Sequence, residues 1–217
     1  MHLHSGEQHV HAPVTPMEFR PDMRLRFLGL WLGQPTVIAA PIPSSDRLAR
    51  AMASQVDTTS AGRIVELGGG TGVITAALLD RGIDPNRLVV VEANPELHCW
   101  LQTQFPGVCI LCGNAFRLRG LLRKNGLWES GTACTVVSGL PVLPQSRAMK
   151  HRLLGDCFDL LGPQGTFVQF TYGPTAPIGP ELLAARSLQT RRVDFVWRNF
   201  PPASVWCVMR HRLQQAA

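Results

Sequence analysis

The densest chemistry in this chain lies in Glu66-Leu67-Gly68-Gly69-Gly70-Thr71-Gly72, where glycine falls at every other position behind an acidic residue. Glycine accepts positive φ and lets a ligand approach with no Cβ in the way, and amides at a following helix start can hold a carboxylate. The G-x-G-x-G spacing differs from both the dinucleotide fingerprint and the phosphate-binding loop. A ligand with a carboxylate at one end and a ribose at the other suits such a turn, which makes Glu66, Gly68, Gly70, Thr71 and Gly72 candidate contacts. Glu92 can take hydrogen bonds from both hydroxyls of a ribose. Asn114, followed by Ala115, offers an amide oxygen as an acceptor without charge assistance. Ser138-Gly139-Leu140-Pro141 brings a hydroxyl and backbone carbonyls that can orient an amine. Tyr172, the only tyrosine in the chain, adds a second hydroxyl and a ring that can face a developing cation.

These groups gain meaning from the elements that must hold them. Apolar runs at 64–67, 88–91, 108–111, 133–137 and 166–170 read as buried strands. They alternate with helical segments at 73–81, 95–104, 116–123 and 146–161, preceded by a helix to about Val56 with Ser44 or Ser45 as its N-cap. Such alternation predicts a doubly wound α/β fold, whose ligands collect at the carboxyl ends of the strands. Glu92, Asn114, Ser138 and Tyr172 each follow a predicted strand, with Tyr172 expected on a loop at that edge. Two further strands, 192–200 and 203–211, meet through Pro201-Pro202 and are expected to close the sheet as an antiparallel hairpin.

The 217 residues suit one domain with a modest extension. A formal charge of +6 and a pI near 9.4 suit a polyanion, either nucleic acid or an anionic membrane face. Six scattered cysteines include one C-x-x-C pair, Cys109 and Cys112, with no second pair to complete a zinc site, so reduced thiols and no metal are expected. The histidine-bearing stretch 1–17 reads as a disordered tail. In the segment 18–43, residues 22–33 set a wide apolar arc with Trp31 against a narrow strip of Asp22, Arg26, Gly29 and Gly33. That pattern fits a helix lying in a headgroup layer, with docking onto the protein's own core as the competing account. Pro35, Pro41 and Pro43 form a hinge before the main domain at 44–217, and no apolar run reaches bilayer-spanning length.

The glycine turn resembles motif I of the class I methyltransferases, whose ligand is S-adenosylmethionine. Enzymes of that class that methylate amines of bases carry Asn or Asp before the Pro turn and an aromatic residue after it. Here Ser138 and Val142 stand in those places, which favours an acceptor amine with no ring. Longer stretches are similar to the bacterial phospholipid N-methyltransferases, which convert phosphatidylethanolamine toward phosphatidylcholine. They are Pro43-Ser44-Ser45, Val136-Val137-Ser138-Gly139-Leu140-Pro141, Gln169-Phe170-Thr171-Tyr172-Gly173-Pro174 and Asn199-Phe200-Pro201-Pro202-Ala203-Ser204-Val205-Trp206. The resemblance implies a Rossmann-like seven-stranded, mostly parallel sheet, S-adenosylmethionine as donor and S-adenosylhomocysteine as product. It implies that Tyr172, Ser138, Gly139 and Leu140 act on the amine, while Glu66, Gly68, Gly70, Thr71, Gly72, Glu92, Asn114, Ala115 and Ser138 hold the cofactor. It further implies a cytoplasmic enzyme held peripherally on the inner membrane by its N-terminal helix, with a phospholipid substrate and neither nucleic acid nor metal. Arg20, Arg24, Arg26, Arg47 and Arg50 are candidate partners for the lipid phosphate. Two positions depart from the family: Gly69 replaces a frequent Pro, and Asn114 a usual Asp. An rRNA adenine dimethyltransferase and a non-catalytic, cofactor-binding membrane-remodelling protein remain the alternatives.

Overall fold

Strands buried on both faces read as unbroken apolar runs, and Leu88–Glu92 (LVVVE) is such a strand, every residue of it buried. The computed structural model describes residues 45–211. Its strands are β1 (Arg63–Leu67), β2 (Leu88–Glu92), β3 (Cys109–Cys112), β4 (Ala133–Ser138), β5 (Leu161–Tyr172), β6 (Leu188–Val196) and β7 (Ala203–Arg210). Its α-helices are α1 (Asp46–Ala53), α2 (Val73–Asp80), α3 (Pro95–Gln104), α4 (Leu118–Lys124), α5 (Arg147–Leu160) and α6 (Pro180–Ala184). The seven strands form one sheet in the order β3-β2-β1-β4-β5-β7-β6. The pairs from β3 through β5 are parallel, whereas β7 runs antiparallel to both β5 and β6. This is the expected α/β architecture with its closing hairpin.

Alternation along each strand sorts the core into two layers. Val65, Leu67, Val136 and Phe167 pack toward Leu118 of α4, Leu153 and Leu154 of α5 and Leu182 of α6. Ile64, Val90, Val137 and Val168 pack toward Leu48 and Met52 of α1, Leu78 of α2 and Leu101 of α3. The chain order reverses beside β1, which pairs with β2 on one side and β4 on the other. That reversal opens the crevice in which ligands of doubly wound sheets bind. Leu67 pairs with Val91 and with Ser138, and Ser138 with Gln169, so the carboxyl ends of four strands line up at one edge.

Local signals fix several boundaries. Ser45 caps α1, its Oγ accepting from the Leu48 amide at 3.2 Å, and Ser146 caps α5 in the same way. Asn94 caps α3 with Pro95 in the first turn. Elsewhere the structure departs from expectation. Helix α1 ends at Ala53, short of Val56. Strand β5 begins at Leu161, because Gly162-Pro163-Gln164-Gly165 reads as a turn yet lies inside an irregular stretch of the β4–β5 ladder. Strand β6 begins at Leu188 and ends at Val196, earlier than the expected 192–200. Its polar, exposed start belongs to an edge strand, which carries no apolar run to announce it. Residues 116–123 divide into a 3₁₀ turn, Ala115–Arg117, and α4. Helix α6 was not expected. Tyr172 is the last residue of β5, paired with Ala203, and not part of a loop. The tail 1–17, the arm and hinge 18–43, Ser44 and the arginines at 20, 24 and 26 lie outside the described residues.

Candidate active site

The turn after β1 is built on positive φ: 81° at Gly68, 54° at Gly70 and 87° at Gly72. A side chain at Gly72 would also collide with Phe105, a Cβ there lying 2.5 Å from its Cε2. The glycine amides of this turn are occupied within the chain. Gly68 and Gly69 both donate to the Val91 carbonyl, Gly72 to that of Gly69, and Gly70 to Glu92 Oε2 at 2.7 Å. These bonds close the turn against β2 and do not involve the amides at the start of α2, where a carboxylate is expected.

Glu66 lies beneath this turn, fully buried. Its Oε2 accepts from Thr75 Oγ1 at 2.7 Å, clipping α2 to β1, while Oε1 has no partner. Burial raises its pKa to about 8 against the opposing Thr75 hydrogen bond, and the charge of Glu92 pushes the same way as burial. Glu66 is thus a neutral acid at pH 7. Glu92, 7% exposed, accepts from Gly70 with one oxygen and from the Asn94 amide with the other, at 2.7 Å each. A carboxylate offers about four acceptor sites, so capacity remains for two hydroxyls. Asn114 is exposed and caps the following 3₁₀ turn through Oδ1, which accepts from the Phe116 amide at 2.9 Å.

On the other side of the crevice Gly139 donates to the Leu67 carbonyl at 2.8 Å, and a Cβ on it would stand 3.0 Å from the Gly68 oxygen. The two turns meet closely here, with the Leu140 side chain also packed against Gly68. Ser138 is wholly buried, and its Oγ accepts from the Leu140 amide at 3.3 Å. The Leu140 carbonyl accepts from the Val142 amide and from Gln169 Nε2, at 2.9 Å each. It is therefore not free to orient an amine, as the sequence suggested. Gln169, itself fully buried, also donates to the Phe170 carbonyl and leaves Oε1 unpartnered. It ties the 138–142 turn to β5, a role the sequence reading missed. The available signal was a lone amide in an apolar strand core. Tyr172 is half-buried with its ring edge-on to Phe170, centroids 5.4 Å apart. Burial holds its hydroxyl above the ordinary tyrosine pKa, and among the described residues that hydroxyl has no hydrogen-bond partner.

A cavity of about 470 Å³ opens between the two turns. Gly68, Gly70, Glu92, Asn114 and Ala115 contribute to its lining, together with Gly139, Leu140 and Tyr172. Glu66, Thr71, Gly72 and Ser138 do not line it; they shape the turns from behind, and the Thr71 carbonyl accepts from Trp100 Nε1. Phe116, Gln145, Phe170 and Thr171 line the cavity without having been singled out in the sequence. The C-x-x-C pair sits on β3, where positions three apart face opposite sides, so Cys109 and Cys112 do not converge.

No protein-family model matches the sequence. Solved structures share the fold. A TehB-like S-adenosylmethionine-dependent methyltransferase of Corynebacterium glutamicum superposes with a TM-score of 0.56 at 17% identity, over 86% of this chain and 98% of that one. The 1,6-didemethyltoxoflavin-N1-methyltransferase of Burkholderia thailandensis, solved with S-adenosylhomocysteine, gives 0.59 at 15% identity over 93% of each chain. The fold is that of the class I S-adenosylmethionine-dependent methyltransferases. Among curated proteins, the ornithine lipid N-methyltransferase of Singulisphaera acidiphila is 31% identical over 183 residues, 83% of this chain and 92% of the relative. The chain belongs to the family of that enzyme. S-Adenosylmethionine is its cofactor and S-adenosylhomocysteine the product. The cavity fits such a group: it is bounded by side-chain-free glycine backbone and carries an acidic acceptor at the end of β2.

Proposed function

We propose that this protein methylates the primary amine of a membrane lipid head group, with phosphatidylethanolamine as acceptor. The observation that carries the reading is the composition of the cavity's acceptor side. Leu140, Pro141, Val142 and Phe170 line it with Tyr172, and the aromatic platform of the base-methylating enzymes is replaced by Val142. An ornithine lipid is the second reading, favoured by the curated relative.

When bound, the cofactor supplies a sulfonium methyl for in-line displacement by nitrogen. Glu92 would take the ribose hydroxyls, while Asn114 and Phe116, which line the same cavity, would flank the base. The low-polarity lining favours the neutral form of an amine whose ordinary pKa is near that of lysine, about 10. Tyr172, protonated, accepts one N–H of that amine and leaves the nitrogen lone pair free for the carbon, at a reacting separation of roughly 3–3.5 Å. Transfer would leave S-adenosylhomocysteine and a methylated ammonium, whose proton would pass to water. Gln169 keeps the 138–142 turn in register with Tyr172. The arm at 18–43 would hold the enzyme peripherally on the cytoplasmic face of the inner membrane.

Labelled S-adenosylmethionine, incubated with vesicles of phosphatidylethanolamine, vesicles of ornithine lipid, or ribosomal RNA, tests this directly. Label in the phosphatidylethanolamine fraction is expected. Label confined to ornithine lipid moves the acceptor, and label in RNA or in nothing removes the lipid reading.

A further inference from the structure

We infer that the β6–β7 hairpin tip, residues 197–202, is a membrane-docking element that sets Trp197 and Phe200 into the interface of an anionic bilayer. The inference extends the lipid-acceptor reading, since it turns the cavity mouth toward the surface that would hold the substrate.

Exposed apolar bulk is concentrated at one edge of the molecule. Phe200 is 81% exposed, Trp197 65% and Phe195 43%, and Leu143 on the cavity lining is exposed as well. Met149, in the first turn of α5, is the remaining large exposed apolar side chain among the described residues. The tip has an inverted polarity. Its uncharged polar residue, Asn199, is 5% exposed, while the rings on either side face outward. Asn199 Oδ1 accepts from Ser45 Oγ at 2.6 Å and its Nδ2 donates to the Pro201 carbonyl at 2.6 Å. The Pro202 carbonyl accepts from the Gly173 amide, and Ser204 Oγ donates to the Gly173 carbonyl. A fixed loop that hides its amide and displays its rings is shaped for an apolar boundary, not for water.

Charge selects the partner. The Arg198 guanidinium lies 4.6 Å from the Trp197 ring centroid, and that of Arg192 lies 5.8 Å from Phe195. Arg191, Arg192 and Arg198 are exposed, and among the described residues none has a carboxylate within ion-pair distance. Aromatic rings with basic groups beside them suit a headgroup layer, where rings sit at the acyl boundary and cations meet phosphate. The position suits it too. The tip starts beside Ala203, the partner of Tyr172, and β6 lies two strands from β5, about 10 Å away. Ser45, the first of the described residues, lies at this edge too, bound to Asn199.

The test uses the full chain, the double variant Trp197→Ala/Phe200→Ala, and vesicles rich in phosphatidylglycerol, which carries no amine. The variant should sediment with these vesicles with roughly tenfold or greater loss of affinity, while its melting temperature and S-adenosylmethionine affinity stay at wild-type values. Wild-type emission from Trp197, taken as the difference from Trp197→Phe, should shift to the blue when vesicles are added. Unchanged sedimentation of the double variant overturns the inference, as does an unshifted Trp197. So does emission already blue-shifted without vesicles that reverts when residues 1–33 are deleted, the sign that the arm covers the tip. Because these vesicles hold no acceptor, loss of binding supports the docking site whichever lipid is methylated.

Discussion

Glu92 and Tyr172 line the same cavity at the ends of different strands, and their substitutions separate binding from chemistry. Glu92→Ala removes the acceptor for the ribose and two hydrogen bonds to Gly70 and Asn94. Calorimetry should show S-adenosylmethionine affinity falling roughly ten- to hundredfold; wild-type affinity would take the ribose role from this residue. Tyr172→Phe keeps the ring packed on Phe170 and deletes only the unpartnered hydroxyl. Turnover should drop at least tenfold with cofactor affinity intact, and equal turnover would exclude the hydroxyl from amine orientation. Glu66 makes a different claim. Its folded pKa of about 8 lies above the unfolded value near 4.5, so between these limits the native state binds the additional proton. Its contribution to stability is therefore full below pH 4.5, declines as pH rises to 8, and is level beyond. Glu66→Gln should flatten that decline, and urea melts of both proteins at pH 5, 7 and 9 measure it. Parallel profiles would show that this carboxyl does not titrate as its burial dictates.

At the scale of elements, the glycine turn joins β1 to α2 with a geometry that only glycine meets. Two substitutions resolve strain from crowding. Gly82 has φ +84° with open space where a Cβ would go, whereas Gly72 has φ +87° with a Cβ 2.5 Å from Phe105. Gly82→Ala should cost about 1 kcal/mol from backbone strain alone. Gly72→Ala should cost about 2–5 kcal/mol, because the buried Phe105 ring has no room to yield. Equal losses in denaturant melts would mean that Phe105 moves freely. The alternation that predicted the central strands worked because parallel strands are apolar throughout. It failed at Gly162-Pro163-Gln164-Gly165 and at the start of β6, where pairing with a neighbour, not side-chain type, makes the strand.

For the whole molecule, a net charge of +6 and a basic, aromatic hairpin beside the cavity mouth make surface binding depend on salt. Raising ionic strength from about 0.05 M to about 0.5 M shortens the screening length several-fold. Vesicle affinity of the full chain should fall by about an order of magnitude and then plateau at the apolar share. Salt-independent sedimentation would remove charge from the docking mechanism. No helix among the described residues is long and apolar enough to cross a membrane.

The sequence by itself determined the α/β order, the glycine turn and the strand ends that carry Glu92, Asn114 and Tyr172, because local propensity and short-range spacing encode them. Only the tertiary structure decided which groups remain free to act. Neighbouring strands consumed the turn amides and the Leu140 carbonyl, buried Ser138 and Glu66, and gave Gln169 its task. Hydrogen-bond capacity is finite, and who spends it depends on partners distant in the chain. The same holds for the hairpin: Trp197 and Phe200 both read as strand residues, whereas the fold buries Asn199 against Ser45 and leaves the rings in solvent.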